Sequence, residues 1–348
     1  MIISSLHDSH SSERSQMKHL SILGMGSAHP DTIITNEFLE SLNIGTSAQW
    51  IEEKIGVKER VTTLPLDYIF QTRNADIRLA HRVASASPTD LAKIASYKAL
   101  ENAGINATQV GMILCNTCTP RSLFPSEGVR IAQALGIEER SVQIRDVITA
   151  CPAFALHVHF LSQFNCDDLP EYILCVCTAT FTQIVNYNDR TDGAIWGDGA
   201  AAWVMSAKYP GRLSVLDTTF MADPSRASAV VIDRFGHFHQ DGRAVRDFSV
   251  RQTVRLIKRL EQGYNLNWNK DIFIGHQANR TMLEQVAHNR NIPATNHWHN
   301  VTYLGNQAAA GAPAVLAGRW SDIVTGQRIA IAVVGAGLSW GSILLEAV

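Results

Sequence analysis

Charge is scarce in this sequence. Asp, Glu, Lys and Arg make up only 18% of its 348 residues, and 30 basic against 32 acidic residues leave a net charge of −2. A duplex-binding protein needs a basic excess or a long basic stripe, and neither is present, so nucleic acid is not an expected partner. Apolar residues are plentiful at 46%, yet no run approaches the 18 or more residues of a membrane span. The longest, Tyr172–Thr178 and Ile329–Val334, are strand-sized. Residues 1–18 are polar and lack a basic stretch followed by an apolar one, so they read as a flexible N-terminal tail and not as a secretory signal. Cysteine is sparse, six residues in all, which points to reduced thiols and a cytoplasmic protein.

Cofactor and metal signatures are thin as well. Gly24-x-Gly26 lacks the third glycine and the downstream acid of a dinucleotide site. Cys115-x-x-Cys118 and Cys175-x-Cys177 fall at or within apolar strands, without a second pair at zinc spacing, and read as packing. His297 and His299 flank Trp298 with no third ligand in view. No cofactor and no metal is expected.

What is present is alternation. Apolar strands are expected at Leu20–Gly26, Val110–Cys115, Ser141–Ile148, Tyr172–Thr178, Leu213–Asp217, Asp271–Gly275 and Arg328–Val334. Helical periodicity falls between them: an amphipathic segment opened by Asn36 as N-cap, then Leu91–Ala103, Ser126–Leu135, Pro152–Phe164, Val250–Gly263, Thr281–Asn289 and Ala308–Trp320. Residues 61–88 read as an irregular excursion or lid. This rhythm predicts an α/β protein with mostly parallel pairing. The texture changes near Lys208-Tyr-Pro-Gly211, dividing the chain into halves 19–209 and 210–348.

Three residues stand where chemistry is commonly presented. Cys151 follows a strand and begins a helix with Pro152 in its first turn, where unpaired N–H groups lower a thiol pKa and a sharp turn exposes the side chain. The alternative is a small apolar residue in the core. His276, in Gly275-His-Gln-Ala-Asn279, ends a strand and would face the crevice of an α/β sheet, though a lone histidine is more often structural. Asn306, in Gly305-Asn-Gln307, is by itself only a capping signal. Together, a thiol and two neutral donors suit thioester chemistry, and the turn Gly335-Ala336-Gly337 could add a backbone N–H to an acyl oxygen.

These residues, with Gly24-Met-Gly-Ser27, Thr46-Ser-Ala-Gln-Trp50-Ile-Glu-Glu-Lys54-Ile-Gly56, Phe124-Pro-Ser126 and Gly197-Asp-Gly-Ala200, strongly resemble ketosynthase III, the β-ketoacyl-[acyl carrier protein] synthase III group of condensing enzymes. The resemblance runs from about residue 20 to the C-terminus. It implies a five-layered αβαβα thiolase fold of two pseudo-repeated halves and a homodimer. It further implies Cys151 as nucleophile, His276 and Asn306 as donors to a second thioester, and the backbone N–H groups of Cys151 and Ala336 as oxyanion hole. The reaction implied is decarboxylative condensation of an acyl group on Cys151 with a malonyl or β-ketoacyl thioester of coenzyme A or acyl carrier protein. Substrate contacts would fall to Trp50, Lys54, Asn279 and Arg280, with Phe124 lining the neighbouring subunit's pocket. The glycine-flanked Asp198 would fall in a turn and be structural.

Departures from the family pattern shift the expected pathway. Lys54 stands where an arginine is usual, and a point charge replaces a planar fork. Arg280 comes one place early. Leu66-Asp-Tyr-Ile-Phe-Gln-Thr-Arg-Asn74 resembles ketosynthases of specialised polyketide and lipid metabolism, including those that join two acyl chains and close rings. Glu127 is a candidate base for such chemistry, or else a solvated first-turn glutamate favoured by the helix dipole. Two rival readings are transfer of the acyl group to an alcohol, amine or water, and a non-catalytic partner subunit of a ketosynthase heterodimer.

Overall fold

The structure, a computed structural model, describes residues 20–137, 141–234 and 236–348. The tail expected over residues 1–18 lies outside these, as does His19. Nine strands form the main sheet: β1 (Ser21–Ala28), β2 (Met112–Asn116), β3 (Gln143–Asp146), β4 (Ile173–Thr180), β5 (Asp198–Ser206), β6 (Leu213–Ala222), β7 (Ile272–Gly275), β8 (Arg328–Gly335) and β9 (Ser339–Ala347). Their spatial order is β7-β8-β9-β6-β1-β5-β4-β2-β3.

The order contains a repeat. Outward from β1, the pairing is antiparallel to β5, antiparallel to β4, then parallel to β2. Outward from β6 it is antiparallel to β9, antiparallel to β8, then parallel to β7. β1 and β6 meet over Ser21–Ser214 and Ile22–Leu213, so the halves join back to back. The link between them follows Ser206 and ends at Leu213.

Among the described residues seven helices are eight residues or longer: α1 (Ala48–Ile55), α2 (Pro88–Ala103), α3 (Glu127–Ala134), α4 (Ala153–Ser162), α5 (Gly242–Tyr264), α6 (Arg280–Asn289) and α7 (Gly311–Gly318). α4 and α7 are apolar on nearly every face and are buried, as such a helix must be. Each crosses over: α4 packs on β6 and β9 of the second half, and α7 on β1 and β5 of the first. The core they share includes Phe154, Val158, Trp203, Leu316, Ile331 and Ile343. α2 covers the outer face of the first half and α5 that of the second. The result is the five-layered αβαβα thiolase fold. α2 lies directly on β1, because a Cβ at Gly26 would sit 2.3 Å from the Ala95 carbonyl oxygen.

Several expectations change. Pairing is mainly antiparallel, because β5 and β9, unread in the sequence, are inserted between strands expected to pair in parallel. Residues 61–88 are no irregular lid: a strand Glu59–Thr62 precedes short helices Leu66–Thr72 and Ile77–Val83. Thr35, not Asn36, caps the first helix. Asn36 is buried and is spent on Val57 O and the Arg60 guanidinium. α2 begins at Pro88 with Ser87 and Asp90 forming a capping box. Asp198 opens β5 and is not in a turn; its buried carboxylate accepts from Thr63 and Thr182, at both backbone and hydroxyl. No helix among the described residues is long and apolar enough to cross a membrane.

Candidate active site

Cys151, His276 and Asn306 are far apart in sequence, yet all three line one cavity of about 400 Å³ between the two halves. The strand ends bring them together. Cys151 stands just before α4, with Pro152 as the residue preceding the helix. Gly335, the last residue of β8, lies against it: a Cβ there would be 3.0 Å from Cys151 N and 2.5 Å from Pro152 Cδ. Ala336 follows in the same wall, and its carbonyl accepts from Ser339 Oγ at 2.6 Å.

His276 leaves the end of β7. Its neighbour Gln277, fully buried, anchors the turn by donating to Gly275 O at 2.8 Å and accepting from Asn300 N at 3.0 Å. Asn306 is buried, and its Oδ1 accepts from Ala308 N at 2.9 Å. That bond sets the amide's orientation and leaves the Nδ2 donors available. The Asn306 backbone bonds to Ile195 and Gly197 on either side of Trp196.

The electrostatics oppose one expectation. Burial, helped by neighbouring Cys118, pushes the Cys151 thiol up to about 12, where a helix start was expected to lower it. Burial also pulls His276 down to about 4. At neutral pH the pair is therefore a thiol and a neutral imidazole. An uncharged imidazole still offers one N–H donor.

Of the expected substrate contacts, Trp50, Lys54 and Asn279 line the cavity. Asn279 also caps α6, its Oδ1 accepting from Met282 N and Thr281 Oγ1. Arg280 does not line it; its side chain runs past Gly56 to pair with Glu284. Phe124 is 88% exposed and lies outside this protomer's cavity. Glu127 is also elsewhere, and is neither solvated nor directed at Cys151. It is 1% exposed, one carboxylate oxygen accepting from Thr89 Oγ1 and the other from Arg121 N.

Other residues escaped the sequence reading. Cys118, assigned to packing, lines the cavity beside Cys151. So do Phe181, Trp196 and Phe238, whose rings stack at 4.3 Å (Phe181–Trp196) and meet edge-on at 4.7 Å (Trp196–Phe238). The Arg190 guanidinium lies over the Trp50 ring, 5.4 Å from its centroid. Apart from the Cys115-x-x-Cys118 spacing, no local motif marks any of them. Among the described residues no three His, Cys, Asp or Glu side chains cluster to hold a metal.

A thiol, an imidazole and a carboxamide converging in the crevice of a thiolase fold define a condensing acyltransferase, an enzyme that forms carbon–carbon bonds. The models of 3-oxoacyl-[acyl-carrier-protein] synthase III match residues 145–224, and of its C-terminal part residues 267–347. The β-ketoacyl-[acyl-carrier-protein] synthase III of Vesicomyosocius okutanii is 30% identical, over 94% of this chain and 99% of its own. The 3-oxoacyl-[acyl-carrier-protein] synthase III structures from Aquifex aeolicus and Pseudomonas aeruginosa superpose with TM-scores of 0.82 and 0.80. Each covers 94% of this chain, with 99% and 98% of their own chains matched, at 24% and 25% identity. The chain belongs to the 3-oxoacyl-[acyl-carrier-protein] synthase III family.

Proposed function

We propose that this enzyme condenses an acyl group carried on Cys151 with a malonyl thioester. The supporting observation is the shared cavity of Cys151, His276, Asn306 and the Gly335–Ala336 backbone, with Gly335 against Cys151. In the first half-reaction the Cys151 sulfur attacks the acyl thioester carbonyl. The bond to the carrier sulfur breaks, and the Cys151 proton leaves with the carrier thiol. The developing oxyanion is met by the Cys151 and Ala336 N–H groups, fixed donors in a dry site. In the second, His276 and the Asn306 amide donate to the carbonyl of the incoming thioester. Carbon dioxide departs, and the resulting enolate attacks the acyl-Cys151 carbonyl. The Cys151 thiolate is expelled and takes a proton from solvent, giving a β-ketoacyl thioester. A neutral His276 suits this step, since it donates without adding a cation that would trap the enolate.

Coenzyme A and acyl carrier protein are the proposed carriers, with Trp50 and Lys54 in the wall as the first contacts. The largely aromatic wall of Phe181, Trp196 and Phe238 favours an apolar acyl chain. A role in specialised polyketide or lipid synthesis rests on the segment Leu66–Asn74. Joining two chains through Glu127 is not part of the proposal, since both oxygens of that carboxylate are occupied. Intact-mass spectrometry of the wild type and a Cys151→Ala variant, after incubation with acyl thioesters, tests the assignment. A mass gain on wild type alone, followed by carbon dioxide release on adding malonyl thioester, is expected. Equal labelling of the variant, or acyl loss without carbon dioxide, would overturn it and favour transfer to water or an alcohol.

A further inference from the structure

A second concavity opens on the neighbouring face of α5. Val245, Arg246 and Ser249 face the catalytic cavity. Phe248, Arg251, Gln252 and Arg255 face the other, which Asp223, Arg226 and Trp340 complete. Its volume is about 360 Å³. Three guanidiniums thus meet a single carboxylate.

Nearby arginines are occupied: Arg259, one turn along α5, pairs with Asp217 and Ser342, and Arg290 with Glu261. Arg226 lies in the field of Asp223. Neither Arg251 nor Arg255 has a hydrogen-bond or ion-pair partner among the described residues. Like charges four residues apart on a helix repel, so this pair is tolerated at a cost. Phe248 and Trp340 meet edge-on in the same hollow, centroids 5.7 Å apart.

We propose that this pocket binds a nucleoside phosphate, its phosphates on Arg226, Arg251 and Arg255 and its base against Trp340. Guanidinium forks match phosphate oxygens two at a time. An aromatic wall receives a planar ring, which a bare oxyanion would leave unused. A hollow of several hundred Å³ has the size of a small-ligand site.

The test is calorimetric titration of the full-length protein with ADP, inorganic pyrophosphate and adenosine, at low ionic strength because exposed charges are screened within about 10 Å at 0.1 M salt. One saturable ADP site is expected, with pyrophosphate weaker and adenosine weaker still. Arg251→Gln/Arg255→Gln should weaken ADP by about tenfold or more, with Cys151 acylation unchanged. Trp340→Leu should weaken ADP and leave pyrophosphate as it was. Absence of saturation would overturn the proposal. So would ADP binding that survives the double substitution but is lost in Trp50→Ala, which would put the nucleotide at the catalytic mouth. Equal affinity for ADP and pyrophosphate, insensitive to Trp340→Leu, would reject the nucleoside and leave a plain anion patch.

Discussion

A thiol at the threshold of a helix is pulled two ways. The free N–H groups of the first turn favour the thiolate, and a dry environment favours the thiol. α4 begins two residues beyond Cys151, Gly335 closes over it from β8, and Cys118 adds a second thiol. Burial wins, at about 12. The sequence carried the strand-to-helix placement of Cys151, but burial comes from the Gly335 turn, nearly two hundred positions away. The same blindness explains Glu127. Its place at a helix start was legible, but its partners Thr89 and Arg121 come from other segments. Glu127→Gln keeps one acceptor and loses the other, leaving Arg121 N or Thr89 Oγ1 under-satisfied. A loss of about 1–3 kcal/mol in denaturant unfolding is expected, with turnover within about twofold of wild type. A folded variant that acylates normally but no longer condenses would restore Glu127 as a base.

Among elements, strongly periodic helices were legible and small-residue strands were not. α2 has apolar residues at helical spacing, a proline in its first turn and Gly104 after its last, in the left-handed conformation a C-cap asks for. β5 reads Asp-Gly-Ala-Ala-Ala-Trp-Val-Met-Ser, with neither alternation nor a β-branched run to mark it as a strand. β9 was hidden likewise behind the glycines of Gly335–Gly341. Overlooking two central strands turned an antiparallel arrangement into an expected parallel one. The small residues have a structural reason, since helices rest on these strands at close range. The same close packing holds α2 on β1, and Gly26→Ala tests it there. Its new Cβ would meet Ala95 O at 2.3 Å and Ala99 N at 2.6 Å, both backbone atoms that cannot rotate aside. A loss of about 1–3 kcal/mol or more is expected from overpacking. A variant as stable as wild type in denaturant would mean that α2 can lift from β1 at no cost.

At the scale of the whole molecule, burying α4 between the two halves also buries one of its two histidines. His157 is fully enclosed, its Nε2 3.3 Å from Val147 O, and burial holds it down at about 4. His297, stacked on Phe273 at 5.2 Å, is likewise held at about 4 by burial. Both stay neutral in the folded protein at pH values where the unfolded chain, titrating near 6.5, takes up a proton. The unfolded state then binds more protons, so stability is intact above about pH 6.5 and falls as the pH drops towards 4. Each group contributes a slope of about 1.4 kcal/mol per pH unit in that window. Unfolding free energies measured from pH 7.5 to 4.5 should be level at first and then decline. Carboxylates add to the decline at its lower end, so the informative quantity is a difference of slopes. His157→Gln costs packing at every pH, yet between pH 6 and 5 its slope should be shallower than wild type by about 1.4 kcal/mol per unit. Parallel curves for the two proteins would mean that His157 accepts a proton without leaving the core, and that the layer between the two halves is wetter than its apolar lining implies.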